Sequence, residues 1–169
     1  SKGVSSGFHV SLSVNIEKYL YGLAEMPSNW NVKALEAQAL VGRSYAVYQY
    51  LKQNIPSEKT NIDAGLSSSR KSYCWCHIGS TASSQYYYGY LKEIAGPNWV
   101  QAVNNTAGKV ITYDGGYTQS NVIQAFYSSS TGGKTNDNAV GFGSSTPWPY
   151  LKTVDDPLSL IHISEPTRL

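Results

Sequence analysis

The chain has few charged residues, little net charge and no long apolar run. Asp, Glu, Lys and Arg make up 14% of its 169 residues, and the formal net charge is +2 at pH 7. Globular domains usually carry about a quarter charged residues, and nucleic-acid-binding domains are far more basic than this one. No apolar run reaches the roughly 20 residues that a membrane-spanning helix needs. We therefore expect no nucleic-acid partner and no membrane span in this sequence.

Tyrosine and small polar residues take the place of charge. The chain has 14 Tyr, 4 Trp and 15 Gly. Aromatic rings stack on ligands, and hydroxyl and amide groups form hydrogen bonds with them. This composition is typical of an extracellular protein that recognises a carbohydrate. An ordinary tyrosine-rich β surface is the alternative that composition leaves open.

The two cysteines are one residue apart and are followed by a histidine: Cys74, Cys76 and His77. This spacing is poor for an unstrained disulfide, although a strained one can form in an oxidising compartment. Cys-x-Cys-His could also supply three zinc ligands, with His9 or an acidic residue as the fourth. A third alternative is that the group has neither role. We expect no cofactor, with zinc as the alternative.

Hydrophobic patterning predicts helices in the first part and strands in the second. The expected elements are a strand at residues 10–14 leading into Ile16–Tyr21, a helix at Val32–Leu51 with Asn31 as N-cap, a short helix near Trp99–Thr106, and strands at Gly108–Tyr113 and Val122–Ser128 joined by a turn at Asp114. One helix-rich part followed by a β-rich part predicts an α+β fold.

Glu25 is the strongest candidate for a chemically active group. It lies among apolar residues in the segment LAEMPSNW, directly before the long predicted helix. Poor solvation favours the protonated form of a carboxyl, which suits a general acid and base. An exposed loop glutamate is the alternative. Glu36, the nearest other acid, is expected on a solvated helix face.

Two groups of residues resemble the signature of the stage II sporulation protein D (SpoIID)/LytB family. The first group is Gly22, Glu25-Met26-Pro27, Trp30, Ala34-Leu35, Ala37-Gln38-Ala39 and Arg43-Ser44-Tyr45-Ala46. The second is Gln85, Tyr87, Gly89, Trp99, Ala102, Val103, Thr106, Gly108, Val110, Tyr113, Gly115, Ala125, Tyr127, Ser128, Ser129, Ser130, Gly132, Gly133, Thr135, Tyr150, Leu151, Val154 and Asp155. The resemblance runs from about Val14 to Pro157, which is nearly the whole of the chain apart from its last residues.

This resemblance implies a peptidoglycan lytic transglycosylase with Glu25 as its catalytic residue. Such an enzyme cleaves the bond between MurNAc and GlcNAc and leaves a 1,6-anhydro-MurNAc end. Glycan strands are the implied partner, and the implied location is extracellular or at the cell wall. The rival interpretation is a non-catalytic wall-binding module that enhances an amidase, as LytB-type members are described.

The expected substrate site is a cleft between the helix-rich part and the β-rich part. Its expected members are Gln38, Arg43, Tyr87, Tyr127, Ser129, Gly133 and Thr135. The two tyrosines would stack on sugar rings, and the Gly- and Ser-rich loop would present backbone N–H groups and hydroxyls. Arg43 has an alternative role as a solvated or ion-paired residue.

The two ends of the chain carry separate expectations. Residues 1–10 are polar and show no signal peptide, so an export signal or anchor is expected upstream. Residues 158–169 resemble a translated sequencing-adapter read and are expected to lie outside the fold. The domain is therefore predicted at residues 10–157, shortened at its C-terminus.

Overall fold

The computed structural model describes residues 12–52, 76–114, 121–143, 145 and 147–160. These residues belong to two compact units, one ending at Ala125 and the other beginning at Phe126. The elements are α1 (Ile16–Tyr21), α2 (Val32–Lys52), α3 (Tyr90–Ala95), α4 (Pro97–Asn105), α5 (Asn138–Phe142) and a 3₁₀ helix (Pro157–Leu160). No helix in these ranges has the length and apolar character that crossing a membrane requires.

The two N-terminal helices begin at asparagine caps. The side-chain Oδ1 of Asn15 accepts a hydrogen bond from Glu17 N (2.9 Å), and Oδ1 of Asn31 accepts one from Lys33 N (2.9 Å). Each cap satisfies an amide that has no partner inside its helix. The predicted helix and its Asn31 cap are confirmed, and the helix extends one residue beyond Leu51.

Helices α1, α2 and α4 form the core of the first unit. Its buried side chains are Leu20, Leu23, Leu35, Ala39, Trp99, Ala102 and Val103. The indole Nε1 of Trp99 donates to the carbonyl of Leu20 at 2.8 Å, which links α4 to α1. The predicted short helix near Trp99 is confirmed as α4.

Gly22 is required by a close approach of backbone to ring. A Cβ built at this position would lie 2.3 Å from Tyr87 Cε2 and 2.9 Å from the backbone Cα of Gly89. Because a backbone atom is one of the obstacles, a side-chain rotation cannot remove the overlap.

We expect Gly22→Ala to lower the free energy of unfolding by about 1–3 kcal/mol, the usual cost of overpacking. Gly141→Ala is the matched control, since its Cβ would meet only Asn136 Cβ at 3.9 Å inside helix α5. That control should change stability little. Urea unfolding of both variants measures the difference, and equal stabilities would show that the Gly22 contact relaxes freely.

The predicted strands are shorter than expected. Thr112 and Val122 form an isolated antiparallel bridge, flanked by hydrogen bonds from Tyr113 N to Asn121 O (2.8 Å) and from Ile123 N to Ile111 O (3.2 Å). The two segments predicted to be strands joined by a turn do pair here, but the structure shows a single bridge in place of full strands. In the described part of the chain no third strand joins this pair, and a lone pair of segments is marginally stable. The turn was predicted at Asp114-Gly115-Gly116, and its two glycines lie in the range 115–120, outside the described residues.

The α+β prediction is therefore supported only in its helical part. Residues 12–15 are irregular, so the described end of the predicted strand at 10–14 is not a strand, and residues 10–11 lie outside the described ranges. In the residues that the structure describes, the regular secondary structure consists of helices and isolated β-bridges.

The second unit is a small folded segment of its own. Residues 133–135 pair with 154–156 through a Lys134–Asp155 bridge and two backbone hydrogen bonds of 2.8 and 2.9 Å. Asp137 caps α5 by accepting from Val140 N at 2.8 Å. The 3₁₀ helix includes the first three residues of the predicted tail, whereas 161–169 lie outside the described residues. The domain boundary at residue 157 stays a prediction.

Candidate functional site

Glu25 follows a short backbone ladder that holds it in place. Leu23 and Tyr87 form an antiparallel bridge, and Ala24 N donates to Tyr86 O at 2.9 Å. Glu25 is half-buried as a residue, and its Oε1 accepts a solvent-exposed hydrogen bond from Tyr86 N at 2.7 Å. One carboxylate oxygen is thus anchored to the backbone of a segment about 60 residues away in sequence.

The loop after Glu25 is held from the other side by Lys92 of α3. Its Nζ donates to Met26 O (2.7 Å) and to Ser28 Oγ (2.8 Å). Burial lowers the pKa of Lys92, because the charged ammonium is partly removed from water. A Cβ on Gly96 would lie 2.4 Å from Ser28 Oγ, so the loop also packs tightly against the start of α4. The position of Glu25 is therefore constrained on both sides.

Glu36 has a different environment from Glu25. Its Oε2 is 2.8 Å from Lys33 Nζ, and its Oε1 accepts from Asn105 Nδ2 at 2.8 Å. These hydrogen bonds favour the ionised form and lower the pKa of Glu36. A carboxyl held ionised is a poor proton donor near neutral pH, so Glu36 serves as a comparison for Glu25.

Arg43 is a buried structural residue, 1% exposed. Its Nε and Nη2 bind the two carboxylate oxygens of Glu17 at 3.1 and 2.8 Å, and its other donors reach Thr106 Oγ1 and the carbonyls of Val103 and Lys109. All five guanidinium N–H groups therefore have protein acceptors. The ion-paired alternative is the one that the structure shows, and a donor role toward a ligand would require this network to break.

Among the residues that the structure describes, the buried Nε2 of Gln38 has no hydrogen-bond partner. Gln38 lies one helical turn before Gly42, where a Cβ would contact Leu23 Cδ1 at 3.2 Å. This places Gln38 on the side of α2 that faces the segment leading to Glu25.

The ring of Tyr87 packs inside the first unit. It stacks on Tyr19 with centroids 5.3 Å apart and planes 8° apart, and it borders the core. Tyr86 and Tyr88 are more accessible, 43% and 55% exposed, and their rings stack at 6.4 Å. The structure therefore favours Tyr86 and Tyr88 over Tyr87 as ligand-facing rings. An alternation of period 2 in the segment QYYY, which turns Gln85 and Tyr87 inward, is the sequence signal that could have indicated the outward-facing tyrosines.

The cysteine group is described only in part. Cys76 is disulfide-bonded, while Cys74 lies outside the described residues. His77 is near Tyr50, with ring centroids 5.1 Å apart. Among the residues that the structure describes, no three His, Cys, Asp or Glu side chains cluster as a metal site.

The remaining predicted residues belong to the second unit. Tyr127 and Thr135 line a cavity of about 600 Å³. Thr135 Oγ1 donates to the carbonyls of Lys152 and Val154, and the carbonyl of Gly133 accepts from Asp156 N. Ser129 is exposed. Glu25, Gln38 and Tyr87 lie in the first unit, so the cleft expected between the two groups stays a prediction.

Comparison with known proteins gives the family. The sequence model of the SpoIID family, described as stage II sporulation protein, matches residues 5–113. That match covers well over half of the chain and confirms the resemblance seen in the motifs.

Three relatives have similar sequences over most of this chain. An uncharacterised protein of Brachyspira hyodysenteriae (strain ATCC 49526 / WA1) is 31% identical over 80% of this chain and 31% of its own length. The amidase enhancer of Bacillus subtilis (strain 168) is 30% identical over 76% of this chain and 14% of its own length. Stage II sporulation protein D of the same organism is 28% identical over 86% of this chain and 39% of its own length. The chain thus spans less than half the length of each relative.

Proposed function

The chain belongs to the SpoIID family, and we propose that it is a lytic transglycosylase of bacterial peptidoglycan that uses Glu25 as general acid and base. The observation that carries this proposal is the placement of Glu25. Glu25 is half-buried as a residue, its Oε1 is held by Tyr86 N, and its loop is fixed by Lys92. A carboxyl held in this way is oriented for proton transfer.

The reaction needs only one such carboxyl. Glu25 would first protonate the glycosidic oxygen between MurNAc and GlcNAc, so that the bond breaks with the proton on the leaving GlcNAc hydroxyl. The resulting carboxylate would then take the proton from the C6 hydroxyl of the same MurNAc, whose oxygen closes the 1,6-anhydro ring. An intramolecular nucleophile has a high effective concentration, so neither water nor a second carboxylate is required.

Neighbouring groups are suited to holding a glycan beside Glu25. The exposed rings of Tyr86 and Tyr88 flank the backbone that anchors Glu25 and could stack on sugar faces. Among the described residues Gln38 Nε2 is a buried donor without a partner. An acceptor from the substrate would satisfy it only if the Gln38 side chain turned toward the surface.

The direct test is product analysis. The purified chain is incubated with glycan strands stripped of stem peptides and, in parallel, with intact peptidoglycan, and the products are identified by mass spectrometry. We expect fragments with 1,6-anhydro-MurNAc ends. Reducing MurNAc ends would instead indicate hydrolysis by water and contradict the proposal.

Lys92 should act as a positioning residue for Glu25. Lys92→Met keeps an apolar stem but removes both hydrogen bonds to the loop, which we expect to lower kcat about tenfold while KM changes little, since catalysis depends on exact placement. Lys92→Arg should restore part of the loss. The control is Lys18→Met. Lys18, in α1, forms an exposed ion pair with Glu93, which belongs to the same helix α3 as Lys92. A Lys92→Met enzyme with parental kcat would contradict this role.

A second candidate function has one specific observation in its favour. A relative named amidase enhancer is 30% identical over 76% of this chain. On this alternative the chain would bind the cell wall and stimulate an amidase without cleaving glycan. Stimulation of a purified cell-wall amidase without any anhydro product would favour it.

A further inference from the structure

The backbone amide that anchors Glu25 lies in a run of identical residues, Tyr86–Tyr88, which we call the tyrosine run. The bond from Tyr86 N to Glu25 Oε1 is solvent-exposed. Because folding exchanges hydrogen bonds with water for hydrogen bonds within the protein, such a bond stabilises its own geometry only weakly. A shift of the pairing by one residue would bring another tyrosine to the same place and exchange inward with outward rings. The position of this amide therefore depends on residues outside the run.

Gln85, directly before the tyrosine run, has a fully buried side chain, 0% exposed. Its Oε1 accepts a hydrogen bond from the hydroxyl of Tyr19 at 2.9 Å, and its Nε2 donates to the carbonyl of Gly42 at 3.1 Å. One end of the amide thus binds α1 and the other end binds α2. A buried amide that loses its partners is strongly disfavoured, so these bonds hold the start of the run in one position.

The two segments that meet at Glu25 contact α2 at one point, Gly42. A Cβ built on Gly42 would lie 3.2 Å from Leu23 Cδ1 and 3.4 Å from Gln85 Nε2. Leu23 precedes Glu25 by two residues, and Gln85 directly precedes the residue whose amide binds Glu25. The same turn of α2 therefore supports the segment of the carboxylate and the segment of its donor.

The far end of the tyrosine run is limited by size. The carbonyl of Gly22 accepts a hydrogen bond from Tyr88 N at 2.8 Å, and a Cβ on Gly22 would lie 2.9 Å from Gly89 Cα. Close packing of two glycines prevents larger residues from taking these places. At the near end, beside Glu25, the buried side-chain hydrogen bonds to α1 and α2 come from Gln85.

We propose that Gln85 is a positioning residue for Glu25. Its buried amide fixes the tyrosine run against α1 and α2, and this sets the point at which Tyr86 N meets the Glu25 carboxylate. Because Gln85 is buried, it acts through Tyr86 and touches no substrate. The consequence for catalysis rests on the proposed function, whereas control of the bond between Tyr86 and Glu25 does not.

The first measurement follows this bond without any substrate. The amide proton of Tyr86 is observed by NMR in the full chain labelled with ¹⁵N-tyrosine, and it is assigned by its loss in Tyr86→Phe. The spectra are recorded at a pH of about 8, where carboxyl groups are generally ionised. A charged acceptor makes a stronger hydrogen bond than a neutral one, so Glu25→Gln should move this signal upfield in the parental background.

The same change is then made in a Gln85→Met background. Methionine keeps the length of the side chain but forms neither hydrogen bond. Glu25→Gln should now move the Tyr86 signal by about half as much or less, because coupling between two residues is lost when the contact that joins them is lost.

The second measurement is the rate of release of anhydro products. Gln85→Met should lower kcat about tenfold and change KM little, because misplacement of a catalytic group weakens stabilisation of the transition state. Tyr19→Phe removes the hydroxyl that binds Gln85 Oε1 but keeps the ring that stacks on Tyr87. It should give a smaller loss in both measurements, and it supplies the test if Gln85→Met does not fold.

The matched control is Ser44→Ala, a loss of buried hydrogen bonds on the same helix α2. Ser44 is 0% exposed, and its Oγ joins the carbonyl of Leu40 to Ile111 N, outside the tyrosine run. The variant should lower thermal stability. It should nevertheless keep the full movement of the Tyr86 signal and a kcat within about twofold of the parental value, since effects at separate sites are usually independent.

Four results would overturn the proposal. No movement of the Tyr86 signal in the parental background would mean that the bond does not form. Equal movement in the parental, Gln85→Met and Tyr19→Phe backgrounds would show that Gln85 does not control it. An equal reduction in Ser44→Ala would indicate general destabilisation instead of positioning. A parental kcat in Gln85→Met would remove the role in catalysis.

Failure of the proposed function gives a different pattern. If the parental protein releases no anhydro product, the transglycosylase reaction is refuted. The NMR comparison of the three backgrounds then decides by itself whether Gln85 positions Glu25.

Discussion

Replacing Glu25 by glutamine is expected to abolish the release of anhydro-MurNAc products while binding to insoluble peptidoglycan is retained. Loss of general acid–base catalysis usually costs about 10²–10⁴-fold in rate, and Glu25 is assigned both proton transfers. Glutamine keeps an oxygen that can accept the hydrogen bond from Tyr86 N, so the backbone anchor of this segment should survive. The variant therefore separates proton transfer from folding and from binding.

Product analysis by mass spectrometry and sedimentation with insoluble peptidoglycan measure the two effects. Glu36→Gln is the matched control, because it makes the same substitution at a carboxylate that is already bound by Lys33 and Asn105. Most activity should remain in that variant. Near-parental rates of anhydro product from Glu25→Gln would refute the assignment of Glu25.

The Glu36 control has its own pH signature. The pKa of Glu36 is lowered in the folded protein from its ordinary value near 4.5. Its interactions therefore stabilise the fold at pH values above that ordinary pKa, and this stabilisation is lost as the pH falls through the lower pKa of the folded state. The activity of Glu36→Gln should therefore be compared with that of the parental protein near neutral pH, where the difference in stability between the two does not change with pH.

The largest stability effect is expected at Arg43. Arg43→Met should lower the free energy of unfolding by about 3 kcal/mol, the lower end of the loss for a buried ion pair, because Glu17 is 23% exposed and stays partly solvated. Glu17 would keep a hydrogen bond from Gly108 N (3.0 Å) but lose its cation, and the carbonyls of Val103 and Lys109 would lose a donor. Because small domains are stable by about 5–15 kcal/mol, this loss is a large fraction of the total.

Urea unfolding followed by circular dichroism measures this loss. Lys18→Met is the control, since it removes the exposed Lys18–Glu93 pair and should cost less than about 1 kcal/mol. Arg43→Lys keeps the charge but not the five-donor geometry, so we expect an intermediate loss. An Arg43→Met protein as stable as the control would show that the network contributes little.

The signature motif mixes structural residues with the candidate catalytic one. Trp99 binds the Leu20 carbonyl, and Ser44 Oγ joins Leu40 O to Ile111 N. Arg43 belongs to the same internal framework, although its residue type is equally common in ligand sites. The motif identified the family correctly, but residue type alone did not separate Arg43 from a substrate-binding group.

Local patterns in the sequence determined helices α2 and α4, the Asn31 cap, the family and Glu25 as the candidate acid. Helix periodicity and capping depend on residues within a few positions of one another, so they can be read along the chain. The tertiary structure decided which tyrosines face outward, that Arg43 is buried, that Lys92 holds the Glu25 loop, and that Tyr127 and Thr135 line a cavity in the second unit. Most of these depend on contacts between residues distant in sequence, such as Lys92 and Met26 or Arg43 and Val103, which no local pattern specifies.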